Sequence, residues 1–471
     1  MKVLVICNNH NSINILKLCI KLKTFLNNLK IVAIFSSSKL ANDFYSKIEH
    51  EKYIYYKIIS SQGIKSINFS NSINENTNIE YRNKDIISKA RELFSNVISY
   101  LSKNVFLYKF RELIISSRLK RYKTICYEYL YEEKFSLVMS MSDRTHDYLE
   151  SSMLYEARNI GLKIILPYLA QYDLKAALRY RLNKFGKIKN EFRPFHPPTL
   201  YKIISFFKFR DQLNDGYFFQ SPYILNAHRR NKTISDYPWW PGNGNSDIVC
   251  VDNDHTAKQY IDNRVPASKL RIVGHSQLDE VFLSLKNKIT IKDTLIKKYN
   301  LNAKKKFYIL SLPQHAEQGY LKWEEHIAQI EKIIKIIKKR NCNFLVSIHP
   351  RQDKLKYLYL VDKYNCNFID EPLSNIIGIS DIFISSNSST AIWATLCGIP
   401  VLNIKGPTEN LFPYLDTVFY ASSINEIDSL ITSISKNKTV DFSSDWIKLS
   451  KENIFDGNFL KRFIDLMTQH Q

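Results

Sequence analysis

The chain has 471 residues and a hydrophobic content of 45%, which is ample for two to four domains with packed cores. Lys and Arg outnumber Asp and Glu by 67 to 45, and the net charge of +22 favours anionic partners without choosing among nucleic acid, anionic lipid and phosphorylated small molecules. The seven Cys residues have no CxxC or Cys/His metal spacing, which indicates reduced core thiols in a cytosolic protein.

The N-terminal segment MKVLVICNNHNS contains only a strand-length apolar run, well short of the apolar region of a signal peptide, and no cleavage site follows it. No window approaches the roughly 20 uninterrupted apolar residues that are needed to span a bilayer. We therefore expect a cytoplasmic protein that rests, at most, on the inner face of the plasma membrane.

The first half of the chain alternates buried strands with helices. It opens with strand KVLVIC, helix SINILKLCIKLKTFLNN and strand LKIVAIF, and the alternation resumes with FSLVMSMSD (135–143), GLKIILPYLA (161–170) and SDIVCVDND (246–254). Residues 50–80 are polar and indicate a loop, whereas 84–134 have a helical pattern. Continuous apolar strands separated by helices are typical of a parallel sheet covered on both faces. We predict a Rossmann-like domain over residues 1–282.

Residues 174–245 interrupt this alternation with a basic and aromatic insertion. It contains RYRLNKFGKIKNEFRPFHPP, YKIISFFKFR, AHRRNK and YPWWPGNGN. Such a segment suits docking on an anionic membrane, where cations meet lipid headgroups and aromatics lie at the interface. It also suits single-stranded nucleic acid, or a solvated charged face over an ordinary aromatic core. No nucleic-acid motif is present, so we expect a membrane surface, and no nucleic acid, among the partners.

The second half predicts another Rossmann-like domain over residues 305–450, after a linker at 283–304. Its strands include KFYILSLPQ, CNFLVSIHPR, CNFIDE, DIFISS and IPVLNI, with the long helix KWEEHIAQIEKIIKIIKKR between the first two. A helix within 451–471 is expected to pack back on the first domain. The sequence thus predicts an α/β protein of two doubly wound domains that face a central cleft. Ligands of open parallel sheets bind beyond the carboxyl ends of the strands, so the residues there are the site candidates.

The richest strand end is the serine cluster that follows DIFI, from Ser385 to Thr390. Small residues before a helix expose its free N–H groups, hydroxyls supplement them, and the helix dipole favours an anion. A phosphate or sugar phosphate would fit there. The alternative is plain capping, since Ser and Thr are ordinary N-cap residues, although a cap needs only one of them.

His349 and Arg351 follow another strand and place an imidazole and a fixed cation at its end. Both can bond phosphate oxygens. A lone His after a strand is more often structural, but the neighbouring serine cluster favours a functional role.

The segments IHPR and SSNSSTAIWATLCGIPVL resemble the His-Pro and Ser-Ser motifs of bacterial sialyltransferases and polysialyltransferases of capsule and lipooligosaccharide synthesis. The second half resembles the donor domain of GT-B fold nucleotide-sugar glycosyltransferases, over roughly residues 247–434. Related patterns occur in capsule Kdo transferases, in glycerophosphotransferases of teichoic acid synthesis and in hydrolysing UDP-GlcNAc 2-epimerases. The epimerases bring a Gly-rich turn and a Glu to the phosphate. The corresponding turn of this chain, Ser385 to Thr390, contains no Gly, which counts against an epimerase.

The resemblance implies a set of donor contacts. His349 would lie at the donor phosphate or glycosidic oxygen, Glu371 would accept ribose hydroxyls, and Gly274 and His275 would lie near the donor. The remaining implied donor-binding residues are Pro313, Gln314, Arg351, Ser388, Ser389 and Thr390. With no metal-binding motif at a suitable strand end, these groups would stabilise the leaving group without a metal ion.

An inverting transferase also needs a base for the acceptor hydroxyl. The best candidate is Asp143, which follows the strand FSLVMSMS, although it could equally cap the next helix. His10, after the first strand, is a weaker candidate.

We therefore expect a metal-independent glycosyltransferase that moves a sugar from a CMP- or UDP-linked donor, first of all a CMP-linked acidic sugar, to a bacterial surface polysaccharide or lipid-linked glycan. The alternatives are a hydrolysing nucleotide-sugar epimerase and a non-enzymatic polyanion-binding protein. The sequence leaves the oligomeric state open.

Overall fold

The chain was analysed as a computed structural model. It describes residues 1–8, 12–46, 48, 54–60, 63–66, 105–144, 147–168, 174, 178, 182, 187–196, 198–317, 319–349, 352–386, 388–406, 415–436, 445, 449 and 454–468. The chain divides into two compact units. Unit 1 comprises Met1–Val273 and Leu466–Gln471, and unit 2 comprises Gly274–Asp465.

Unit 1 is built on an eight-stranded sheet. Its strands are β1 (Lys2–Cys7), β2 (Lys30–Phe35), β3 (Ile54–Ser60), β4 (Gly63–Ser66), β5 (Leu137–Met139), β6 (Lys163–Leu166), β7 (Ile248–Val251) and β8 (Leu270–Ile272). They lie in the order β4-β3-β2-β1-β5-β6-β7-β8, and only the edge pair β3 and β4 is antiparallel. Nearly every residue of β1 and β2 is buried, as expected for parallel strands covered on both faces.

The helices of unit 1 are α1 (Ile13–Lys23), α2 (Ser38–Tyr45), α3 (Val105–Glu133), α4 (Tyr148–Asn159), α5 (Leu200–Lys208), α6 (Pro222–Arg230) and α7 (Asp254–Asp262). Two of them, α5 and α6, belong to the predicted insertion. Its aromatic residues form a small core of their own, in which Phe209, Phe218 and Trp239 are buried. The aromatic part of the insertion is therefore largely interior.

Unit 2 contains a six-stranded parallel sheet. Its strands are β9 (Lys306–Ser311), β10 (Cys342–Ser347), β11 (Asn367–Ile369), β12 (Ile382–Ser385), β13 (Val401–Ile404) and β14 (Val418–Ala421), in the order β11-β10-β9-β12-β13-β14. Its helices are α8 (Ser276–Lys286), α9 (Lys288–Tyr299), α10 (Trp323–Lys338), α11 (Tyr359–Tyr364), α12 (Leu373–Ile376), α13 (Ala391–Leu396), α14 (Ile427–Lys436) and α15 (Phe459–Thr468). The last residues of α15, from Leu466, are assigned to unit 1. Separate apolar clusters cover the two faces of the sheet, one with α10 and α14 and the other with α8, α9 and α13.

The predicted fold class is confirmed, because each unit is a doubly wound α/β domain of the Rossmann type. The predicted linker at 283–304 is wrong. That segment contains the end of α8 and all of α9, and Leu295 of α9 is buried in the core of unit 2. Unit 2 accordingly begins at Gly274, before the predicted boundary at 282.

The predicted loop at 50–80 contains β3 and β4. No helix in the described part of the chain has both the length and the apolar character of a membrane-spanning segment.

Candidate active site

The sheet of unit 2 has a topological switch point between β9 and β12. The chain winds from β9 to β10 and β11 on one side, and from β12 to β13 and β14 on the other. Crevices of this kind are where doubly wound sheets bind ligands. His315 follows β9 and Ser386 follows β12, and the His315 Nε2 atom lies 3.2 Å from the Ser386 Oγ atom. The two strand ends are thus joined at the switch point.

A pocket of about 210 Å³ opens beside this pair. It is formed by the segments that follow β9, β12, β13 and β14 and by one face of α10. The lining residues are Pro313, His315, His326, Gln329, Ile330, Ile333, Ser386, Ile404, Lys405, Ser422, Ser423 and Ile424. Three hydroxyls, two imidazoles and an ammonium group can bind a ligand that carries negative charge and hydroxyl groups.

The two histidines of the pocket are held neutral. Burial lowers the pKa of His315, with a smaller contribution from His326, and burial likewise lowers the pKa of His326. Their rings are 6.0 Å apart. In each ring the buried Nδ1 atom has no hydrogen-bond partner among the described residues. A neutral imidazole can donate from one nitrogen and accept at the other, so both rings keep hydrogen-bonding capacity.

A polar network holds the His326 ring and the neighbouring loops in place. The His326 Nε2 atom lies 3.0 Å from the Tyr357 hydroxyl, which in turn donates to Glu317. The Gln352 side chain donates to the Pro313 carbonyl oxygen at 2.8 Å and accepts from the His349 backbone N–H at 2.9 Å. Gln352 therefore fastens the loops after β9 and β10 to each other.

The predicted donor residues near this network differ in whether they line the pocket. Pro313 lines the pocket and Gln314 is half-buried next to it. His349 is exposed and is anchored through its backbone, and it does not line the pocket. Arg351 lies outside the described residues, so its predicted role stays a prediction.

The predicted phosphate grip at the start of α13 is not formed as expected. The backbone N–H groups of Ala391, Ile392 and Trp393 already donate to the carbonyl oxygens of residues 388, 389 and 390, at 3.1 to 3.2 Å. The helix has only six residues, so its dipole is small.

The hydroxyls of the cluster are partly engaged as well. The Ser388 and Thr390 hydroxyls lie 2.7 Å apart, and the Ser388 oxygen accepts from the Thr390 N–H. Ser389 is exposed. Ser386, rather than Ser388, Ser389 or Thr390, is the member of the cluster that lines the pocket.

Glu371 is part of an ion-pair network. Its carboxylate accepts from Lys298 at 2.6 Å and from the Tyr299 hydroxyl at 2.8 Å. Burial opposes its ionisation, but these two hydrogen bonds outweigh it and hold the pKa below the ordinary value. Each oxygen already accepts one hydrogen bond, so a ribose hydroxyl would have to use the remaining lone pairs of Glu371.

Gly274 and His275 form the turn and the cap at the start of α8. Gly274 has a φ of +87°, and a Cβ atom there would approach the Arg462 guanidinium to 3.1 Å. The His275 Nδ1 atom caps α8 by accepting from the Gln277 N–H at 3.1 Å. Burial lowers the pKa of His275 to about 4.

Asp143 in unit 1 is not placed as a catalytic base. Its carboxylate accepts from the N–H groups of Gly242, Gly244 and Ser246 and from the Ser246 hydroxyl, at 2.5 to 3.2 Å, and the residue is buried. Its carboxylate anchors the loop 242–246. The predicted alternative, capping of α4, is also wrong, because Asp147 caps that helix. His10 lies outside the described residues.

Two other carboxylates of unit 1 lie near carboxyl ends of strands. Glu150 is buried at the switch point between β1 and β5, where it bonds Ser140 and Asn8. Asp252 follows β7 and is half-buried, and burial raises its pKa against the hydrogen bonds from Thr256 and Tyr168. Its buried Oδ1 atom has no hydrogen-bond partner among the described residues.

Sequence reasoning assigned no role to His315, His326, Tyr357, Gln352, Lys405 and Asp252. The positions of His315 and Asp252 after strands were a usable signal. The contacts of His326 and Tyr357 come from tertiary packing and leave no mark in the local sequence. Among the described residues, no group of three or more His, Cys, Asp or Glu is arranged to hold a metal ion.

Comparisons with known proteins find a family model that matches part of the chain and several solved structures that are similar to it. A model of the family described as "Protein of unknown function (DUF354)" matches residues 250–433. The comparison with curated proteins gave no match.

Among solved structures, the chain is similar to the UDP-GlcNAc 2-epimerase from Methanocaldococcus jannaschii, at 12% identity and a TM-score of 0.49 over 100% of both chains. It is also similar to a glycosyltransferase from Rickettsia africae, at 10% identity and a TM-score of 0.44 over 100% of this chain and 98% of the other. The chain is also similar to the wall teichoic acid polymerase TagF, at 10% identity and a TM-score of 0.47 over 99% of this chain and 88% of the other. Likenesses at this level of identity concern the fold alone.

Proposed function

We propose that this protein is a metal-independent glycosyltransferase that takes a sugar from a nucleotide-activated donor bound in the pocket of unit 2. The observation that carries the proposal is the pocket at the β9/β12 switch point, where His315, Ser386 and Lys405 converge. An ammonium group and hydroxyls beside neutral imidazoles suit a phosphate ester with an attached sugar. The first choice of donor is a CMP-linked acidic sugar, whose carboxylate would also find a partner in Lys405, and the second is a UDP-linked sugar.

In the proposed reaction the bond between the anomeric carbon and the phosphate oxygen breaks, and its electron pair leaves with the nucleotide. Lys405 and the pocket N–H and O–H groups stabilise the charge that develops on that oxygen, so no metal ion is required. The acceptor hydroxyl forms the new bond to the anomeric carbon and gives its proton to a base. His349 and Arg351, on the loop that Gln352 anchors, remain proposed donor contacts from the motif resemblance.

Asp143 is not proposed as the base, because both of its carboxylate oxygens already accept hydrogen bonds. The acceptor that the motif resemblance suggests is a bacterial surface polysaccharide or a lipid-linked glycan.

The test is a thermal-shift panel of CMP, CDP, UDP, GDP and their sugars on the full chain. A ligand that binds only the folded protein at about 100 times its Kd stabilises it by about 2.7 kcal/mol and raises its Tm. We expect one nucleotide class to shift the Tm, and Lys405→Ala to weaken that binding about tenfold or more, which is the size expected for a lost charge-assisted hydrogen bond. Lys436→Ala, at the end of α14, is the matched control.

A chelator is expected to leave both the nucleotide-induced shift and sugar transfer intact. No shift with any nucleotide, or an equal shift in Lys405→Ala, would contradict the proposed pocket.

A hydrolysing nucleotide-sugar epimerase is the second candidate, since such enzymes place a Glu beside the donor. The Glu317 carboxylate lies 3.7 Å from the His326 Nε2 atom of the pocket. This candidate predicts turnover of the donor without any acceptor and its loss in Glu317→Gln. The transferase predicts no such turnover beyond slow hydrolysis.

A further inference from the structure

Helix α5 differs from an ordinary surface helix because it buries a charged side chain and exposes apolar ones. Lys202 is only 1% exposed, and its ammonium group donates to the carbonyl oxygens of Asn190 at 2.6 Å and His196 at 2.9 Å. On the outward side, Leu200, Ile204 and Phe207 are between 57% and 69% exposed. Their i, i+4, i+7 spacing places them on one face. The helix thus buries a cation and presents an apolar stripe to solvent.

The first half of α3 also buries a charged residue and exposes apolar ones, although its inward face contains the buried Ile115 and Leu119 as well. Its inward face contains the buried Glu112, which accepts from the Tyr201 hydroxyl at 2.9 Å and pairs with Arg230 at 2.8 Å. Its outward face carries Phe106, Phe110 and Leu113 at the same i, i+4, i+7 spacing, and they are between 48% and 76% exposed. Both helices therefore expose apolar side chains while they bury a charged one.

The helices are in direct contact, since the rings of Tyr108 and Tyr201 stack with centroids 5.3 Å apart. We call the outward residues the apolar face, which consists of Phe106, Phe110, Leu113, Leu200, Ile204 and Phe207. With Ile114 and Phe195 beside it, this region holds eight of the twenty exposed large hydrophobic residues of the described chain. Such a density of exposed apolar side chains on two touching helices is typical of a surface that binds an apolar partner.

Cations accompany the apolar face. The charged residues of α3, α5, α6 and the turn after α5 that reach the surface there are Lys109, Arg111, Lys208, Arg210, Asp211, Arg229 and Arg230. Six are positive and one is negative. Lys109 and Arg230 pair with the buried Glu112, and the other four cations outnumber the single exposed carboxylate. An apolar protein partner would not need this surplus, whereas a bilayer with anionic headgroups complements both the charge and the aromatic side chains.

We propose that the apolar face of α3 and α5 docks this protein on an anionic membrane surface, with Phe and Leu side chains in the interface and the surrounding Lys and Arg on lipid phosphates. The proposal corrects the sequence-based expectation about the insertion. Trp239, Trp240, Phe218 and Phe219 are buried and cannot touch lipid, and half of the docking surface comes from α3, outside the insertion. It is independent of the donor pocket.

The experiment is co-sedimentation of the full chain with phosphatidylcholine vesicles, with and without about one third phosphatidylglycerol. We expect binding to the anionic vesicles that weakens as salt is raised. Ile204→Ser with Phe207→Ser, and separately Phe106→Ser with Phe110→Ser, should each lower the partition coefficient at least about tenfold, since each removed apolar side chain contributes substantially to insertion.

The matched control is Ile289→Ser with Leu355→Ser in unit 2, where the parent residues are 79% and 77% exposed. It should bind like the parent chain. The wild-type result with the two vesicle types tests the proposal even if a variant fails to fold. Absence of binding to anionic vesicles, or equal loss in the control pair, would overturn it. So would light scattering that shows a dimer dissolved by the α5 substitutions, because the face would then belong to a second copy.

Discussion

At the residue scale, Asp143 illustrates a carboxylate whose environment decides its role. Four donors from the loop 242–246 converge on its two oxygens. Gly244 packs so closely against Asp143 that a Cβ atom there would lie 2.2 Å from its carbonyl oxygen. The tight loop and the carboxylate therefore form one structural unit, and the loop sequence PGNGNS provides the glycines that this close approach requires.

We predict that Asp143→Asn destabilises the protein by about 2–4 kcal/mol, because an amide would set its own N–H group against donors that now point at a carboxylate. Urea unfolding monitored by circular dichroism measures the change. Asp211→Asn is the control, since the Asp211 side chain is 83% exposed and its substitution should have little effect. The nucleotide-induced thermal shift should survive in Asp143→Asn; its loss would contradict a purely structural role.

At the scale of the elements, the strands of the sheets were predictable because short continuous apolar runs such as KVLVIC, separated by helical patterns, are typical of buried parallel strands. The segment 283–304 was misread because its many Lys residues resemble a linker. Its Ile291, Leu295 and Tyr299 nevertheless recur at helical spacing and pack on the core. The residues 50–80 were misread because β3 is half-exposed near the edge and alternates polar with apolar side chains.

The sequence-based candidates and the pocket lie at the same edge of the unit 2 sheet but involve different residues. Strand ends located Pro313 and the serine cluster, whereas the choice of Ser386 over Ser388 depends on which hydroxyl meets His315. Nor can sequence tell that the N–H groups at the start of α13 are already bonded within a tight turn. Partners that lie far apart in the chain decide these points, and they are set by packing.

Helix α8 gives a prediction about pH, because its cap is a neutral imidazole. Burial lowers the pKa of His275 to about 4, and protonation would also remove the Nδ1 acceptor at a helix N-terminus, where a cation is unfavourable. The unfolded chain binds the proton at its ordinary pKa near 6.5. Stability contributed by this residue is therefore complete above about pH 6.5 and is lost as the pH falls towards 4.

The loss is on the order of 1–3 kcal/mol. His275→Asn, which keeps a capping acceptor but does not titrate, should flatten the decline of Tm between these pH values in a thermal-melt series. His315 and His326, whose pKa values are lowered, contribute to the remaining slope with the same sign, as do carboxylates with lowered pKa values such as Asp456 and Glu371. His255→Asn, at an exposed position of α7, should leave the profile unchanged. A variant at His275 that melts along the parent curve would show that its titration does not matter.

At the scale of the whole molecule, the two units have separate sheets and separate cores, and the proposed donor pocket is built wholly from residues 313–424 of unit 2. Nucleotide binding should therefore change amide exchange rates in unit 2. In hydrogen–deuterium exchange of the full chain, a nucleotide without its sugar should slow exchange in the loops that follow β9, β12, β13 and β14. Amides that are ordered by a ligand open less often, and the protection reports that free energy.

The β1 and β5 strand ends of unit 1 should exchange at unchanged rates under the same conditions, because the nucleotide contacts proposed here all come from unit 2. Lys405→Ala provides the internal control, since it should reduce the protection at a given nucleotide concentration while leaving the exchange of the ligand-free chain as it was. Protection centred on the strand ends of unit 1 would place the nucleotide there, and the roles assigned to His315, Ser386 and Lys405 would then be wrong.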